Sequence, residues 1–317
     1  MTDAPTFADI REAHARIASH IHRTPILTSA ALDSITGAKI FFKCENFQKS
    51  GAFKARGAFN AVLALGDDAA ARGVVTHSSG NHAAALALAA RTRGIAAHVV
   101  MPRTAPAAKK AAVASYGAKI VECEPTLAAR LAGVAAIAAE TGAVLIPPFD
   151  DLHVAAGQGT CLVEMVEDTG LAFDAISCPV GGGGLLAGTL IAAHALIPSA
   201  KVIAAEPAMA DDAARGFRTG LLQPQVLPVA TIADGLTTAM SAMTFAVMRA
   251  HAAQVVTASE ASIIDAMRLI WSRMKIIVEP SCAVPFAAIL EGAWDAKGQT
   301  VGIILTGGNV DLDALPW

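Results

Sequence analysis

The chain has 317 residues, 54% of them hydrophobic and 16% charged, with a formal net charge of -3 at pH 7. That length admits two domains around buried parallel sheets, and a slightly acidic chain without a Lys/Arg block argues against a nucleic-acid surface. A mean hydropathy of +0.50 would admit a membrane protein, yet Gly, Pro or charge interrupts every apolar run before it reaches spanning length.

Met1-Thr2-Asp3-Ala4-Pro5 lacks the basic start and apolar core of a signal peptide. The five cysteines, Cys44, Cys123, Cys161, Cys178 and Cys282, show neither paired spacing nor a zinc pattern. They read as buried thiols in a reducing cytoplasm, the compartment expected for this chain.

In chain order, chemistry first appears in Ser50-Gly51-Ala52-Phe53-Lys54-Ala55-Arg56-Gly57, upstream of an apolar, helix-compatible run. A lysine among small and aromatic neighbours can be desolvated, which lowers its pKa and frees the amine to attack a carbonyl. Most such lysines are solvated surface residues, so Lys54 takes its meaning from the segments around it. A short strand at 73–75 leads into Thr76-His77-Ser78-Ser79-Gly80-Asn81-His82 and an alanine-rich helix at 83–91. Taken singly, Ser79 or Asn81 reads as a helix cap. Strands at 74–76, 97–101, 120–122 and 144–146 alternate with alanine-rich helices, and short connections favour right-handed parallel crossovers. Residues 73–149 are therefore expected to form a small domain inserted into a larger one made of 1–72 and 150–317. The strands of the larger one include 175–180, 202–205 and 302–305.

The run at 175–180 ends in Gly181-Gly182-Gly183-Gly184, ahead of a helix expected at 185–196. Four glycines there let consecutive N–H groups converge on an anion at the positive end of a helix dipole. Neither a Walker loop nor a dinucleotide fingerprint fits the spacing, which leaves a phosphate cup and a flexible loop as the two readings. The last strand pattern ends in Thr306-Gly307-Gly308-Asn309-Val310-Asp311, a polar loop at a position where parallel sheets bind ligands.

These segments, in this order, resemble the fold-type II pyridoxal-phosphate (PLP) enzymes. The matching branch holds the serine racemases, serine/threonine dehydratases and 3-hydroxyaspartate dehydratases. His22-Arg23-Thr24-Pro25 and Phe41-Phe42-Lys43-Cys44-Glu45-Asn46-Phe47-Gln48 extend the resemblance over nearly the whole chain. It implies an α/β fold similar to the tryptophan synthase β subunit. Each of its two domains is an open, twisted, mostly parallel sheet flanked by helices. The small domain would close over substrate.

The resemblance also implies roles. Lys54 would attach to PLP and then serve as the proton-transfer base, with Phe53 against the pyridine ring. Gly181, Gly182, Gly183 and Gly184, with the Leu185 amide, would hold the phosphate. Asn81 would meet the phenolic oxygen and Thr306 the pyridine nitrogen. A hydroxyl at that nitrogen does not enforce a protonated ring, which suits expulsion of a β-substituent over transamination. Glu279 matches a position beside the ring; a structural salt bridge is an equal reading. Ser78, Ser79, Gly80, Asn81 and His82 would cradle the substrate carboxylate, and Arg130 would read a distal carboxylate unless it is a plain exposed helix arginine. Ser79 stands where racemases of the branch carry their second acid/base, although eliminating members carry it too. Ala83 replaces a glycine of several relatives and would tighten the pocket. Glu206, the Ala210 carbonyl and Asp212 resemble the branch's divalent-cation segment and would take Mg²⁺, Ca²⁺ or Mn²⁺; a solvated acidic turn is the alternative.

The expected reaction is elimination of the β-hydroxyl from a hydroxy amino acid of serine/threonine type, giving a 2-oxo acid and ammonia. Alternatives are a 3-hydroxyaspartate dehydratase giving oxaloacetate and ammonia, a serine or aspartate racemase, and, remotely, a non-catalytic PLP-binding protein. Relatives suggest a homodimer, and no nucleic-acid or membrane partner is expected.

Overall fold

Apolar runs covered by helices on both faces become parallel strands, and the computed structural model, which describes residues 4–317, has two such sheets. The strands are β1 (Ile26–Leu27), β2 (Lys39–Cys44), β3 (Val74–His77), β4 (Ala97–Pro102), β5 (Lys119–Cys123), β6 (Val144–Leu145), β7 (Ala175–Pro179), β8 (Lys201–Pro207), β9 (Gln254–Ala258) and β10 (Thr300–Leu305). The helices are α1 (Phe7–Ile17), α2 (Ala30–Thr36), α3 (Lys54–Ala64), α4 (Asp67–Ala71), α5 (Asn81–Arg93), α6 (Ala107–Ser115), α7 (Leu127–Thr141), α8 (Leu152–Thr169), α9 (Gly184–Leu196), α10 (Asp212–Thr219), α11 (Ala242–His251), α12 (Glu260–Met274) and α13 (Pro280–Leu290).

One sheet has the order β1-β2-β10-β7-β8-β9 and the other β5-β4-β3-β6. All pairings are parallel except β1 with β2. The α/β class and each expected strand are therefore present. β2 and the edge strands β1 and β9 were not among the expected strands: β2 was read only as a motif. β7 is buried along its whole length, its one polar side chain, Ser177, donating to the Ile203 carbonyl.

Helix α3 precedes the four-stranded sheet in sequence but shares its core. Ala55, Ala58, Phe59, Ala61 and Val62 pack with Val74, Leu86, Ala97 and Ile146. Side chains cap α1, α2, α7, α8, α11 and α12. Among the described residues α3, α5 and α9 have no such cap. The starts of α5 and α9 follow functional loops and leave N–H groups for a ligand, whereas in α3 the Ala55, Arg56 and Gly57 N–H groups already donate to Ala52, Phe53 and Gln158. Cys44, Cys161, Cys178 and Cys282 are buried, Cys123 is partly exposed, and all are free thiols. No helix among the described residues is long and apolar enough to cross a membrane.

Candidate active site

Lys54 is the first residue of α3. Two loops lace together beneath it: Ala52 bridges Gly307, the Phe53 N–H donates to the Thr306 carbonyl at 2.9 Å, and the Gly308 N–H donates to Gly51 at 3.0 Å. This pairing sets the lysine at the carboxyl end of β10. Its Nζ donates to the Pro148 carbonyl at 2.8 Å and lies 5.0 Å from the centre of the Phe53 ring. Burial pulls the Lys54 pKa from 10.5 down to about 8, against the opposing pull of the Glu279 charge. The positive end of α3 acts in the same direction as burial. The amine is therefore partly neutral near neutral pH, as a carbonyl-attacking lysine must be.

The tetraglycine joins β7 to α9 as a closely packed cradle. Gly183 adopts φ +86°, a left-handed conformation that glycine takes without strain. A Cβ on Gly182 would collide with the Phe149 ring, and one on Gly181 would approach Leu236 Cα at 3.0 Å. The Thr244 hydroxyl donates to the Gly182 carbonyl at 2.9 Å. The amides from Gly181 to Leu185 donate to no other backbone group among the described residues. Orphan amides at an uncapped helix start, on a loop with no room for side chains, fit a phosphate.

Opposite lies the β3–α5 loop. Ser78, Ser79 and Gly80 are half-buried there, and the Gly80 N–H reaches the Ser78 hydroxyl at 3.4 Å. Asn81 Nδ2 donates to both Glu279 oxygens at 3.0 and 3.1 Å, and its Oδ1 accepts from Asn309 at 2.9 Å. Burial pushes the Glu279 carboxyl up to about 7, although the Asn81 bonds oppose it. No cation lies within ion-pair distance of Glu279 among the described residues. The salt-bridge reading of Glu279 is therefore wrong: its partner is an amide of the facing loop. Thr306 is buried beside this network. His82 bonds the Ile146 carbonyl at 3.0 Å, and burial, with Lys54 nearby, lowers its pKa to about 3, so it is a neutral group. His77, just before the loop, is depressed by burial and by the neighbouring Arg130 charge. Arg130 is itself half-buried, and its Nε is enclosed without a hydrogen-bond partner.

The third cluster lies at the end of β8. Glu206 is 1% exposed and Asp212 6% exposed, so the segment is not a solvated turn. Glu206 accepts from the Ala213 N–H at 3.1 Å and from the Ala214 N–H, and so caps α10. Burial raises Glu206 to about 9 and Asp212 to about 6. Among the described residues no group of three or more His, Cys, Asp or Glu could hold a metal. A cation here would rely on these two carboxylates, the Ala210 carbonyl and water, a hard-oxygen set suited to Mg²⁺ or Ca²⁺.

Several contributors carried no assigned role in the sequence: Pro148, Phe149, Thr244, Asn309 and Arg56. Only Asn309 had a local signal, its place in the Thr306-Gly307-Gly308-Asn309 turn. Arg56 is wholly buried, with Nε and Nη2 on Glu45 at 2.7 and 2.8 Å and Nη1 and Nη2 on Glu164 at 2.8 and 2.7 Å.

A lysine at one uncapped helix start and a glycine cup at another define the class. Residues 17–307 match the family of pyridoxal-phosphate dependent enzymes, and the chain belongs to that family. It is 52% identical over 313 residues to the beta-hydroxyaspartate dehydratase of Paracoccus denitrificans (strain Pd 1222), covering 99% of each chain. To the L-threo-3-hydroxyaspartate ammonia-lyase of Saccharomyces cerevisiae (strain ATCC 204508 / S288c) it is 43% identical over 309 residues, 97% of this chain and 94% of that one. The crystal structure of serine racemase from Dictyostelium discoideum superposes with a TM-score of 0.92 at 46% identity, covering 97% of this chain and 99% of that one.

Proposed function

We propose that the chain is a PLP-dependent ammonia-lyase that removes the β-hydroxyl of a hydroxy amino acid, with 3-hydroxyaspartate as the favoured substrate. When bound, the cofactor supplies an aldehyde that condenses with an amine, releasing water, and an electron-withdrawing ring that acidifies the substrate α-proton. The residues supply the rest. Lys54 would hold the cofactor and, as a free amine when substrate occupies the site, would accept the α-proton. The Gly181–Leu185 amides would hold the phosphate, and Phe53, Asn81, Glu279 and Thr306 would contribute to the pocket for the ring. The free amides at the start of α5, with Ser78 and Ser79, hold the α-carboxylate. The β-hydroxyl leaves with a proton supplied near the phosphate, and hydrolysis of the released product gives a 2-oxo acid and ammonia.

One observation favours a dicarboxylate over serine or threonine. Arg130 is a half-buried cation beside the substrate loop, with an unpartnered Nε and no carboxylate within ion-pair distance among the described residues. An enclosed guanidinium nitrogen without a partner is costly, and a distal substrate carboxylate would satisfy it. The names of the two lyase relatives support the same reading.

The test is 2-oxo acid release from L-serine, L-threonine and the 3-hydroxyaspartate stereoisomers, repeated with Arg130→Gln. A charged hydrogen bond is worth roughly 1.5–3 kcal/mol, so kcat/KM for hydroxyaspartate should fall about 10- to 100-fold while that for serine barely changes. Preference for serine or threonine in the wild type would return the assignment to the general dehydratase reading. Racemisation, if present, would depend on Ser79: Ser79→Ala should lose inversion and keep elimination. Glu206, the Ala210 carbonyl and Asp212 are proposed to bind Mg²⁺ or a similar cation that braces the larger sheet. The homodimer and the cytoplasmic location expected from the sequence are likewise proposed; sedimentation and cell fractionation test them.

A further inference from the structure

The lysine and the phosphate cup stand on different helices, α3 and α9, and a third helix, α8, lies against both. Contact is backbone to backbone on each side. A Cβ on Gly157 would sit 2.6 Å from the Arg56 carbonyl oxygen and 2.6 Å from Gly57 Cα. Two residues along, a Cβ on Gly159 would sit 2.8 Å from the Gly188 carbonyl oxygen, and one on Gly188 would sit 2.5 Å from the Gly159 nitrogen. The α3 side is also clamped by polar bonds. The Gly57 N–H donates to Gln158 Oε1 at 3.1 Å, and Arg56 grips Thr160 at 3.1 Å and both oxygens of Glu164. Just ahead of α8, Pro148 accepts from Lys54 Nζ and Phe149 fills the space beside Gly182.

We propose that α8, through Gly157, Gly159 and the Arg56–Glu164 pair, is a positioning device that fixes the separation between Lys54 and the glycine cup. These are positioning residues, since none touches the reacting atoms. The inference rests on the reading that Lys54 and the cup grip opposite ends of one PLP molecule. Two-point attachment strengthens binding only while the second contact stays within reach of the first, and a misplacement near 1 Å costs about 100-fold. Ordinary Cβ contacts begin at 3.4 Å, so an alanine at 159 must push the α8 and α9 backbones apart by several tenths of an ångström.

The experiment measures three dissociation constants on full-length protein stripped of cofactor: PLP, pyridoxal and inorganic phosphate. The product of the last two divided by the first is the effective concentration gained by linkage. In Gly159→Ala, and in Glu164→Gln should the first not fold, this quantity should fall about 10- to 100-fold while pyridoxal and phosphate each bind nearly as before. Met267→Ala, a core lesion in α12, should cost stability and leave the quantity unchanged. An unchanged value in the folded α8 variants, or an equal fall in Met267→Ala, overturns the proposal. Failure of the underlying reading looks different: wild-type protein would then bind pyridoxal no better than Lys54→Ala, or show no site for phosphate.

Discussion

The amine of Lys54 should capture the cofactor with a pH midpoint near 8 instead of 10.5. At pH 7 the lower value leaves roughly one amine in ten neutral, against about one in three thousand for an unperturbed lysine, a gain of about 300-fold in reactive nucleophile. The cause is burial among Phe53, the Pro148 carbonyl and the α3 start, opposed by the Glu279 charge. The assay is the rate of PLP capture by cofactor-free enzyme between about pH 6 and 10. Because Glu279 raises the Lys54 pKa, Glu279→Gln should move the midpoint below 8. Stability gives an independent readout with a fixed sign. Between about 8 and 10.5 the unfolded lysine binds more proton than the folded one, so cofactor-free protein should gain stability as pH rises through that window. The gain is at most about 3 kcal/mol, since solvent in the cleft screens part of it. A midpoint near 10.5, or an upward move in Glu279→Gln, would refute the desolvation argument.

Three further outcomes are expected. Arg56→Met leaves Glu164 with Lys43 and Glu45 with no cation, only the Thr24 hydroxyl and the Gln48 amide, and removing one member of a buried ion network costs about 3–5 kcal/mol in urea unfolding; adding Glu45→Gln should recover part of that, and a loss below about 1 kcal/mol would contradict the assigned burial. Gly182→Ala drives a methyl into Phe149 and should weaken PLP binding with circular dichroism unchanged, Phe149→Ala restoring affinity in the double variant. If Glu206 and Asp212 hold a cation, a chelator should lower Tm by an amount set by about 2.7 kcal/mol when metal is hundredfold above its Kd, and Glu206→Gln should be insensitive to metal and chelator alike.

What was legible in the sequence had a local signature. The mostly apolar run of β7, four consecutive glycines, and a lysine between Phe53 and Ala55 each announce their conformation or chemistry within ten positions. Pro148, Phe149 and Arg56 have none, because their meaning comes from partners far along the chain: Arg56 meets Glu164 at a separation of 108 residues, and Lys54 meets Pro148 at 94. Arg56 is the sharper case, since an arginine on a helix's first turn reads as solvated until two carboxylates are found around it. The uncapped starts of α3 and α9 were visible only as missing Ser, Thr, Asp or Asn, an absence that local rules count as a defect, whereas Ser79 and Asn81 made the start of α5 read as capped. The glycines of α8 mislead in the same way. Each costs a helix about 1 kcal/mol relative to alanine, so Gly157 and Gly159 read as weak points in an otherwise sound helix. In the fold they are the positions where the backbones of α3 and α9 come closest to α8. A local preference is violated here because a longer-range fit requires it, so conflicts between helix propensity and helical structure are the places to look first for a site that sequence motifs leave half drawn.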